Sequence, residues 1–255
     1  MFEMMQSFIK NLAKGAGDIL RDGFRKEIEI NHKTGHWDVV TQYDLASDKY
    51  IQDRIKRKFP KHSILSEETG REGKSDNLWI IDPLDGTRNF SRGVPFFCVS
   101  ISFVKKNQLL YGAIYDPIHD ELFLAERGRG ATLNGKSIRV SPTIFLDSAM
   151  AAVLWHSNVV SEKLIKDLQS LARRHKFWNT TVCSAALSMV YVACGKLDLF
   201  VSKGAYPWDY SAAALIVQEA GGKISNFQSS PYKWNFDEVV AANSTLHKLI
   251  IEELK

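Results

Sequence analysis

The sequence predicts a layered α+β fold, with an antiparallel sheet in its first half and alternating helices and strands in its second. Three observations carry that reading. Two stretches with helical periodicity open the chain. Residues 78–140 then break into short β-branched and aromatic runs separated by turns, and after Pro142 helical and strand patterns alternate. With 255 residues and 45% apolar side chains, the chain is long enough to bury a sizeable core between such layers.

The elements follow in order. Phe2, Met5, Ile9, Leu12, Ala16, Ile19 and Leu20 recur at spacings of three, four and seven, which defines an amphipathic opening helix. A polar stretch, Lys33-Thr34-Gly35, and residues 38–44 precede a second helix predicted over 45–59 and stopped by Pro60. Strands are predicted at 79–81, 97–104, 109–115 and 121–125, with Lys106-Asn107 and Asp116-Pro117 as turns. Further helices fit 162–175, 184–193 and 210–220, the last closed by Gly221-Gly222. Strands fit 150–154, 197–201 and 239–242, and a final helix starts near Thr245. No repeat or low-complexity linker divides the chain. We expect one catalytic unit over 1–255, with an α+β lobe over 1–141 and an α/β lobe over 142–255.

Composition excludes several classes. No apolar run approaches membrane-spanning length, so no membrane partner is expected. The first twenty residues alternate at helical spacing and do not read as a signal peptide. Cys98, Cys183 and Cys194 are odd in number and form no CxxC, which argues against a disulfide framework and for a reducing, cytoplasmic setting. Net charge is a mild +4. The basic run Arg54, Lys56, Arg57, Lys58 and Lys61 reads as a solvated helix face, and nucleic-acid binding is not expected.

Chemistry concentrates in Trp79-Ile80-Ile81-Asp82-Pro83-Leu84-Asp85-Gly86-Thr87-Arg88-Asn89-Phe90. An apolar strand delivers Asp82 at its end, Pro83 is expected to stop the ladder, and Asp85 follows three residues on. Carboxylates this close suit hard cations bound through oxygen. N–H groups at Gly86 and Thr87 would face a phosphate if a helix opens there. Glu67 and Glu68 follow Ile64-Leu65 and Ser66, another strand end, and Asp209 in Pro207-Trp208-Asp209 sits just before a predicted helix. So many converging carboxylates repel one another unless cations neutralise them. Paired cations roughly 3.5–4 Å apart suit in-line displacement at phosphorus.

Asp82-Pro83-Leu84-Asp85-Gly86-Thr87-x-Asn89-Phe90 resembles the first motif of the inositol monophosphatase family, Mg²⁺-dependent, lithium-sensitive phosphatases of sugars and polyols. Trp208-Asp209-Tyr210-Ser211-Ala212-Ala213-Ala214, with Glu219-Ala220-Gly221-Gly222, resembles the second. Glu67-Glu68, Thr41-x-x-Asp44 and Ser184-Ala185-Ala186 stand in the family's order, so the resemblance covers roughly 5–250. It implies a layered αβαβα sandwich of the sugar-phosphatase type, with a smaller mixed sheet in the second half. It also implies two or three Mg²⁺ ions and a homodimer.

By position, the resemblance implies Glu67, Asp82 and the Leu84 carbonyl as ligands of a first metal, and Asp82, Asp85 and Asp209 as ligands of a second. A third, weaker one would lean on Glu67. Asp44, Glu67 and Thr87 become the catalytic residues, with Asp44 and Thr87 orienting water. Asp85, Gly86, Thr87, Cys183, Ser184, Ala185, Ser202 and Asp209 become the substrate contacts, and Lys33 falls in a mobile loop. Three positions depart from the inositol-specific pattern: Ser202 replaces a glutamate, Thr180 an arginine and Cys183 a glycine.

Competing motifs fail on their context. Gly130-Ala131-Thr132-Leu133-Asn134-Gly135-Lys136-Ser137 fits the GxxxxGK[ST] phosphate loop, but its flanks are strand-like, Pro142 leaves no room for a helix, and Asn134-Gly135 is a hairpin turn. A covalent aspartyl phosphate of the haloacid-dehalogenase kind needs aspartates one residue apart, and Asp82 and Asp85 are three apart. No cysteine has the arginine six residues later that a cysteine phosphatase needs: Val104, Met189 and Phe200 stand there. His32 and His36 read as loop residues, and Asp116, Asp120 and Glu121 as a turn.

The expected reaction is therefore hydrolysis of a small phosphate monoester of a polyol or sugar, inositol monophosphate first, by a metal-activated water without a covalent intermediate. Fructose 1,6-bisphosphate, histidinol phosphate and 3′-phosphoadenosine nucleotides are the alternative substrates. The alternative of a different class is a regulatory protein that binds RNA or a transcription complex, and its mark would be a missing metal ligand. None is missing.

Overall fold

A computed structural model of the chain describes residues 2–33, 35, 39–155, 162–175, 178–180, 183–204 and 206–254. Helix α1 (Phe2–Gly23) buries Ile9, Leu12, Ala16 and Leu20 along one face. Strands β1 (Ile30–His32) and β2 (Val39–Thr41) pair with each other, and helix α2 (Gln42–Lys58) follows. His36 lies outside the described residues.

The next strands are β3 (Ser63–Ser66), β4 (Gly70–Glu72) and β5 (Asn77–Asp85), then short helix α3 (Thr87–Ser91). Strands β6 (Cys98–Lys105), β7 (Gln108–Asp116), β8 (Glu121–Glu126), β9 (Ala131–Leu133) and β10 (Lys136–Ser137) complete an eight-stranded sheet ordered β10-β9-β8-β7-β6-β5-β3-β4. Only β3 and β5 pair in parallel in it.

The second half comprises β11 (Met150–Trp155), α4 (Glu162–His175), β12 (Trp178–Asn179), α5 (Ala185–Ala193), β13 (Leu199–Lys203), α6 (Pro207–Glu219), β14 (Lys223–Ser225), β15 (Glu238–Ala242) and α7 (Ser244–Glu253). Its strands form a five-stranded mixed sheet ordered β12-β11-β13-β15-β14.

Three cores separate the layers. Helices α1 and α2 cover one face of the large sheet through Ile9, Leu12, Ile51 and Ile55 against Trp79 and Ile81. Helices α5 and α6 lie between the sheets, with Leu187, Val190, Leu215 and Ile216 packed among Ile80, Ile114, Phe200 and Val239. Outside, α7 sets Leu246 and Ile250 on Val201 and Val240. This is the expected αβαβα order. Alternation places Ile80 and Ile81 on opposite faces of β5, which is why one apolar run feeds two cores.

Close packing of α6 on the large sheet needs a glycine. A Cβ on Gly112 would lie 2.7 Å from the Ala212 carbonyl oxygen, so no side chain fits between β7 and α6 there. Two further ties hold the same helix: the hydroxyls of Ser102 and Ser211 meet at 2.7 Å, and Ser100 Oγ donates to the Trp208 carbonyl at 3.2 Å.

Several boundaries differ from the sequence reading, and two differ for the same reason. Helices α2 and α6 each begin three residues earlier than predicted, because a carboxylate placed ahead of the helix is its third residue. Asp44 Oδ2 accepts the Thr41 N–H at 2.8 Å, and Asp209 Oδ2 accepts the Tyr206 N–H at 2.7 Å, so each carboxylate bonds back to its own N-cap; at α2 the Thr41 hydroxyl accepts the Asp44 N–H in return and completes a capping box. Nor does Pro83 end its strand. The ladder to β6 resumes at Asp85 after a bulge, pairing Asp82 with Ser100 and Asp85 with Cys98. Strands β4, β9, β12 and β14, two or three residues each, are too short to show a period.

The phosphate-loop lookalike is a hairpin. Leu133 pairs with Lys136 across Asn134 (φ 49°) and Gly135 (φ 79°), the geometry of a two-residue hairpin turn. Asp116 is fully buried and accepts the N–H groups of Ile118 and His119, as a turn residue does.

Candidate active site

The β5 bulge, the start of α3 and the N-termini of α5 and α6 meet at one place. Register explains the meeting. Ser100 is the strand partner of Asp82 and holds the carbonyl of Trp208, the residue before Asp209, so β6 carries Asp209 to Asp82. Asp85, beyond the bulge, points at α5. Its Oδ2 accepts the Ser184 hydroxyl and the Ala186 N–H (2.9 Å), and its Oδ1 accepts the Ala185 N–H (3.2 Å). Ser184 is the N-cap of α5 but makes no cap bond with its own side chain; the carboxylate from β5 caps the helix instead. The buried Cys98 thiol lies 3.6 Å from the same carboxylate.

Asp82, Asp85 and Asp209 bring carboxylate oxygens within 4.8 Å of one another. Burial comes first in raising the pKa of Asp82, ahead of the charges of Glu67, Asp85 and Asp209, and burial likewise dominates at Asp209. Asp85 is pushed up to about 6 by burial, against the hydrogen bonds from Ser184, Ala186 and Ala185. Among the described residues no lysine or arginine is ion-paired with these three aspartates. An oxygen-only set of mutually repelling carboxylates, with Asp82 and Asp85 buried and Asp209 half-buried, fits hard divalent cations.

On the other side of the bulge, Thr87 Oγ1 lies 2.8 Å from Asp44 Oδ1 and 3.1 Å from the Leu84 carbonyl oxygen. Burial raises Asp44 to about 6, despite hydrogen bonds from Thr41 and Thr87. Leu84 N–H donates to Asp82 Oδ1 at 3.0 Å, which folds the bulge around its own carboxylate. Gly86 has φ 97°, and a Cβ there would meet the Phe96 carbonyl at 3.1 Å and the Cys183 carbonyl at 3.3 Å. Asn89 Nδ2 donates to those same carbonyls, at 2.7 and 3.1 Å, and so ties α3 to the segment before α5.

Lys33 Nζ bridges Glu67 Oε1 (3.0 Å) and Glu68 Oε1 (2.8 Å), so an ammonium neutralises this end of the acidic cluster. Burial works against the charged lysine, but the charges of Glu67 and Glu68 and their hydrogen bonds raise its pKa above the ordinary value. Burial lifts Glu68 to about 7.

The structure thus gathers Asp44, Glu67, Asp82, Leu84, Asp85, Gly86, Thr87, Ser184, Ala185, Asp209 and Lys33. Ser184 is buried with its hydroxyl on Asp85, Ala185 is half-buried with its N–H on Asp85, and Cys183 is exposed. Ser202 departs furthest from expectation. It is 2% exposed, and Tyr210 Oη donates to its hydroxyl at 2.7 Å, so Tyr210 takes up the side chain read as a substrate contact. Sequence reasoning missed Ser100 and Cys98. Neither has a local signal: Ser100 acts through Trp208, 108 residues on, and Cys98 through Asp85 on the neighbouring strand.

Such a site, with clustered oxygen ligands beside a threonine–aspartate pair and three helix N-termini, defines a class: metal-dependent hydrolases of phosphate esters. The comparisons with known proteins agree. The model of the inositol monophosphatase family matches residues 2–255. Inositol monophosphatase 3 of Solanum lycopersicum is 39% identical over 95% of this chain and 93% of its own. A protein of Haemophilus influenzae named Nus factor SuhB is 37% identical over 95% of this chain and 92% of its own. The crystal structure of extragenic suppressor protein suhB from Bartonella henselae superposes with a TM-score of 0.93 at 30% identity, covering 99% of this chain and 98% of that one. This chain belongs to the inositol monophosphatase family, a family of phosphatases.

One prediction follows from the carboxylates alone. In the unfolded chain these groups ionise near their ordinary values of 3.8 to 4.5, and in the folded one Asp44 and Asp85 ionise near 6 and Glu68 near 7. Between those limits the folded state holds more protons, so their contribution to stability is full below about pH 4 and is lost as pH rises towards 7. A cation supplies the missing positive charge. The Tm rise caused by Mg²⁺ is therefore expected to be larger at pH 8 than at pH 5. Equal rises at both values would contradict the reading of a strained, cation-seeking cluster.

Proposed function

We propose that the chain hydrolyses small phosphate monoesters of polyols and sugars, inositol monophosphate among them, using Mg²⁺ held by Asp82, Asp85, Asp209, Glu67 and the Leu84 carbonyl. The observation that carries this reading is the set of three aspartates within 4.8 Å of one another, next to the Thr87–Asp44 hydrogen bond. Bound divalent cations supply positive charge to the phosphate and lower the pKa of water.

The protein's own residues do the rest. The N–H groups of Gly86 and Thr87, in the first turn of α3, have no helical partners and donate to phosphate oxygens. Thr87 Oγ1 receives the proton of the attacking water and passes its own to Asp44, whose pKa of about 6 leaves it ionised at neutral pH. Asp85 is clamped by α5 and Asp209 by the Tyr206 N–H, so neither has to reorganise when the substrate arrives. Two or three ions per site, a homodimer and a cytoplasmic setting belong to the same proposal. Met150 and Trp178 are strand partners, 45% and 75% exposed at the edge of the second sheet, and offer an apolar face that a second copy would cover. No helix among the described residues is long and apolar enough to cross a membrane.

Substrate choice is expected to be broad. A glutamate at position 202 would offer a charged acceptor to a ring hydroxyl, worth about 1.5–3 kcal/mol or one to two orders of magnitude in selectivity. Ser202 is buried under Tyr210 and offers none. A phosphate-release screen over polyol, sugar and nucleotide monophosphates tests this. Inositol 1-phosphate and glycerol 2-phosphate are expected within about tenfold of each other in kcat/KM. A thousandfold preference for inositol 1-phosphate would sink the idea of a loose alcohol pocket. No phosphate release from any of them would overturn the catalytic reading.

A further inference from the structure

The turn that carries Glu67 and Glu68 is fastened to α2 at both ends. Ser66, fully buried just before Glu67, donates its hydroxyl to Asp48 Oδ1 at 2.6 Å. The same Ser66 oxygen accepts the Glu68 N–H at 3.4 Å. At the far end, Thr69 Oγ1 accepts from Gln52 Nε2 at 2.7 Å, and that nitrogen's other hydrogen goes to Asp48 Oδ2, also at 2.7 Å. Asp48 is 3% exposed and Gln52 7%. Among the described residues, Asp48 forms no ion pair, and hydroxyl and amide groups hold its two oxygens.

Asp44, Asp48 and Gln52 are spaced by four, so one face of α2 presents all three. From that face Asp44 reaches Thr87, Asp48 reaches Ser66 and Gln52 reaches Thr69. Ser47, beside them, donates to the Pro83 carbonyl at 2.9 Å in the β5 bulge. A single rigid helix therefore sets the bulge, the threonine and the Glu67–Glu68 turn in one frame. Two buried hydrogen-bonding side chains spent on a four-residue turn are more than its own closure requires.

We propose that Asp48 is a positioning residue: with Gln52 it clamps the Ser66–Thr69 turn so that Glu67 is presented to the metal cluster in a fixed direction. Asp48 touches neither substrate nor cation; it acts through Ser66. Partners of this kind behind metal ligands typically cost about 10–100-fold in metal affinity when removed. The inference rests on the metal-dependent reading above.

The test is calorimetric titration of Mg²⁺ into the metal-free full-length protein, together with the Mg²⁺ dependence of kcat. Asp48→Ala is expected to weaken Mg²⁺ binding about tenfold and to raise the half-saturating Mg²⁺ by the same factor, while kcat at saturating Mg²⁺ falls no more than about threefold. Asp48→Asn is the rescue. If the Gln52 amide turns over, it accepts from the new amide and from the Thr69 hydroxyl, so the clamp survives without the charge, and Mg²⁺ affinity is expected within about twofold of wild type. If Asp48→Ala does not fold, Gln52→Leu removes the Thr69 end and the amide bond to Asp48 Oδ2 while leaving the Ser66–Asp48 bond, and is expected to weaken Mg²⁺ binding about threefold or more. Wild-type Mg²⁺ affinity in Asp48→Ala, or in Gln52→Leu where the alanine variant fails to fold, overturns the proposal. So does an Asp48→Asn as damaged as the alanine, which would make the charge and not the clamp the operative feature. A wild type that binds no Mg²⁺ overturns the metal-dependent reading itself.

Discussion

Asp82→Asn is expected to lower kcat by at least about a thousandfold and, in the same protein, to raise the Tm of the metal-free form. The two effects have opposite signs for one reason. Asp82 is 1% exposed, its carboxylate accepts one protein hydrogen bond, from Leu84, and the charges of Glu67, Asp85 and Asp209 all disfavour its ionisation. Removing the charge relieves that repulsion in the empty site and removes the oxygen placed between the ligands when cations bind. An amide keeps the shape but offers one weaker donor. Kinetics at saturating Mg²⁺ and a melting curve in chelator measure both effects. Turnover near that of wild type would refute the role given to Asp82.

Thr87→Val should come next in size, with kcat down about 10²–10³-fold and Mg²⁺ affinity nearly unchanged. Valine fills the same space, so the start of α3 is kept, but Asp44 Oδ1 loses its 2.8 Å partner and the attacking water loses its proton path. The split between kcat and metal affinity is the informative readout. A variant that loses Mg²⁺ binding in parallel with turnover would assign Thr87 to the metal shell instead, and a kcat within threefold of wild type would dismiss the pair as catalytic.

Why some of this site could be read from the sequence and some not depends on chain separation. Asp82, Leu84, Asp85, Gly86 and Thr87 are contiguous, so their chemistry is legible as a string, and Asp209 announces itself beside Trp208. The helical spacing of Ile9, Leu12, Ala16 and Leu20 predicted α1 because one buried stripe produces it. By contrast, the contact that brings Asp209 to Asp82 runs through Ser100, 108 residues from Trp208, and has no local pattern. The close approach of Gly112 to Ala212 is equally silent. The predicted starts of α2 and α6 fall three residues late because a carboxylate that bonds back to its own N-cap looks, in sequence, like a residue ahead of the helix. The role expected of Ser202 rests on resemblance, which locates a position in a strand but says nothing of the side chain from α6 that closes over it.

One measurement bears on the central claim most directly: a crystal of the protein soaked in Mn²⁺ and inorganic phosphate, with an anomalous difference map. Two peaks or more are expected, roughly 3.5–4 Å apart, with Asp82 between them, Asp85 and Asp209 on one and Glu67 and the Leu84 carbonyl on the other. Phosphate should lie against the N–H groups of Gly86 and Thr87. A map with no peak at these carboxylates, with Lys33 still bridging Glu67 and Glu68, would contradict the account.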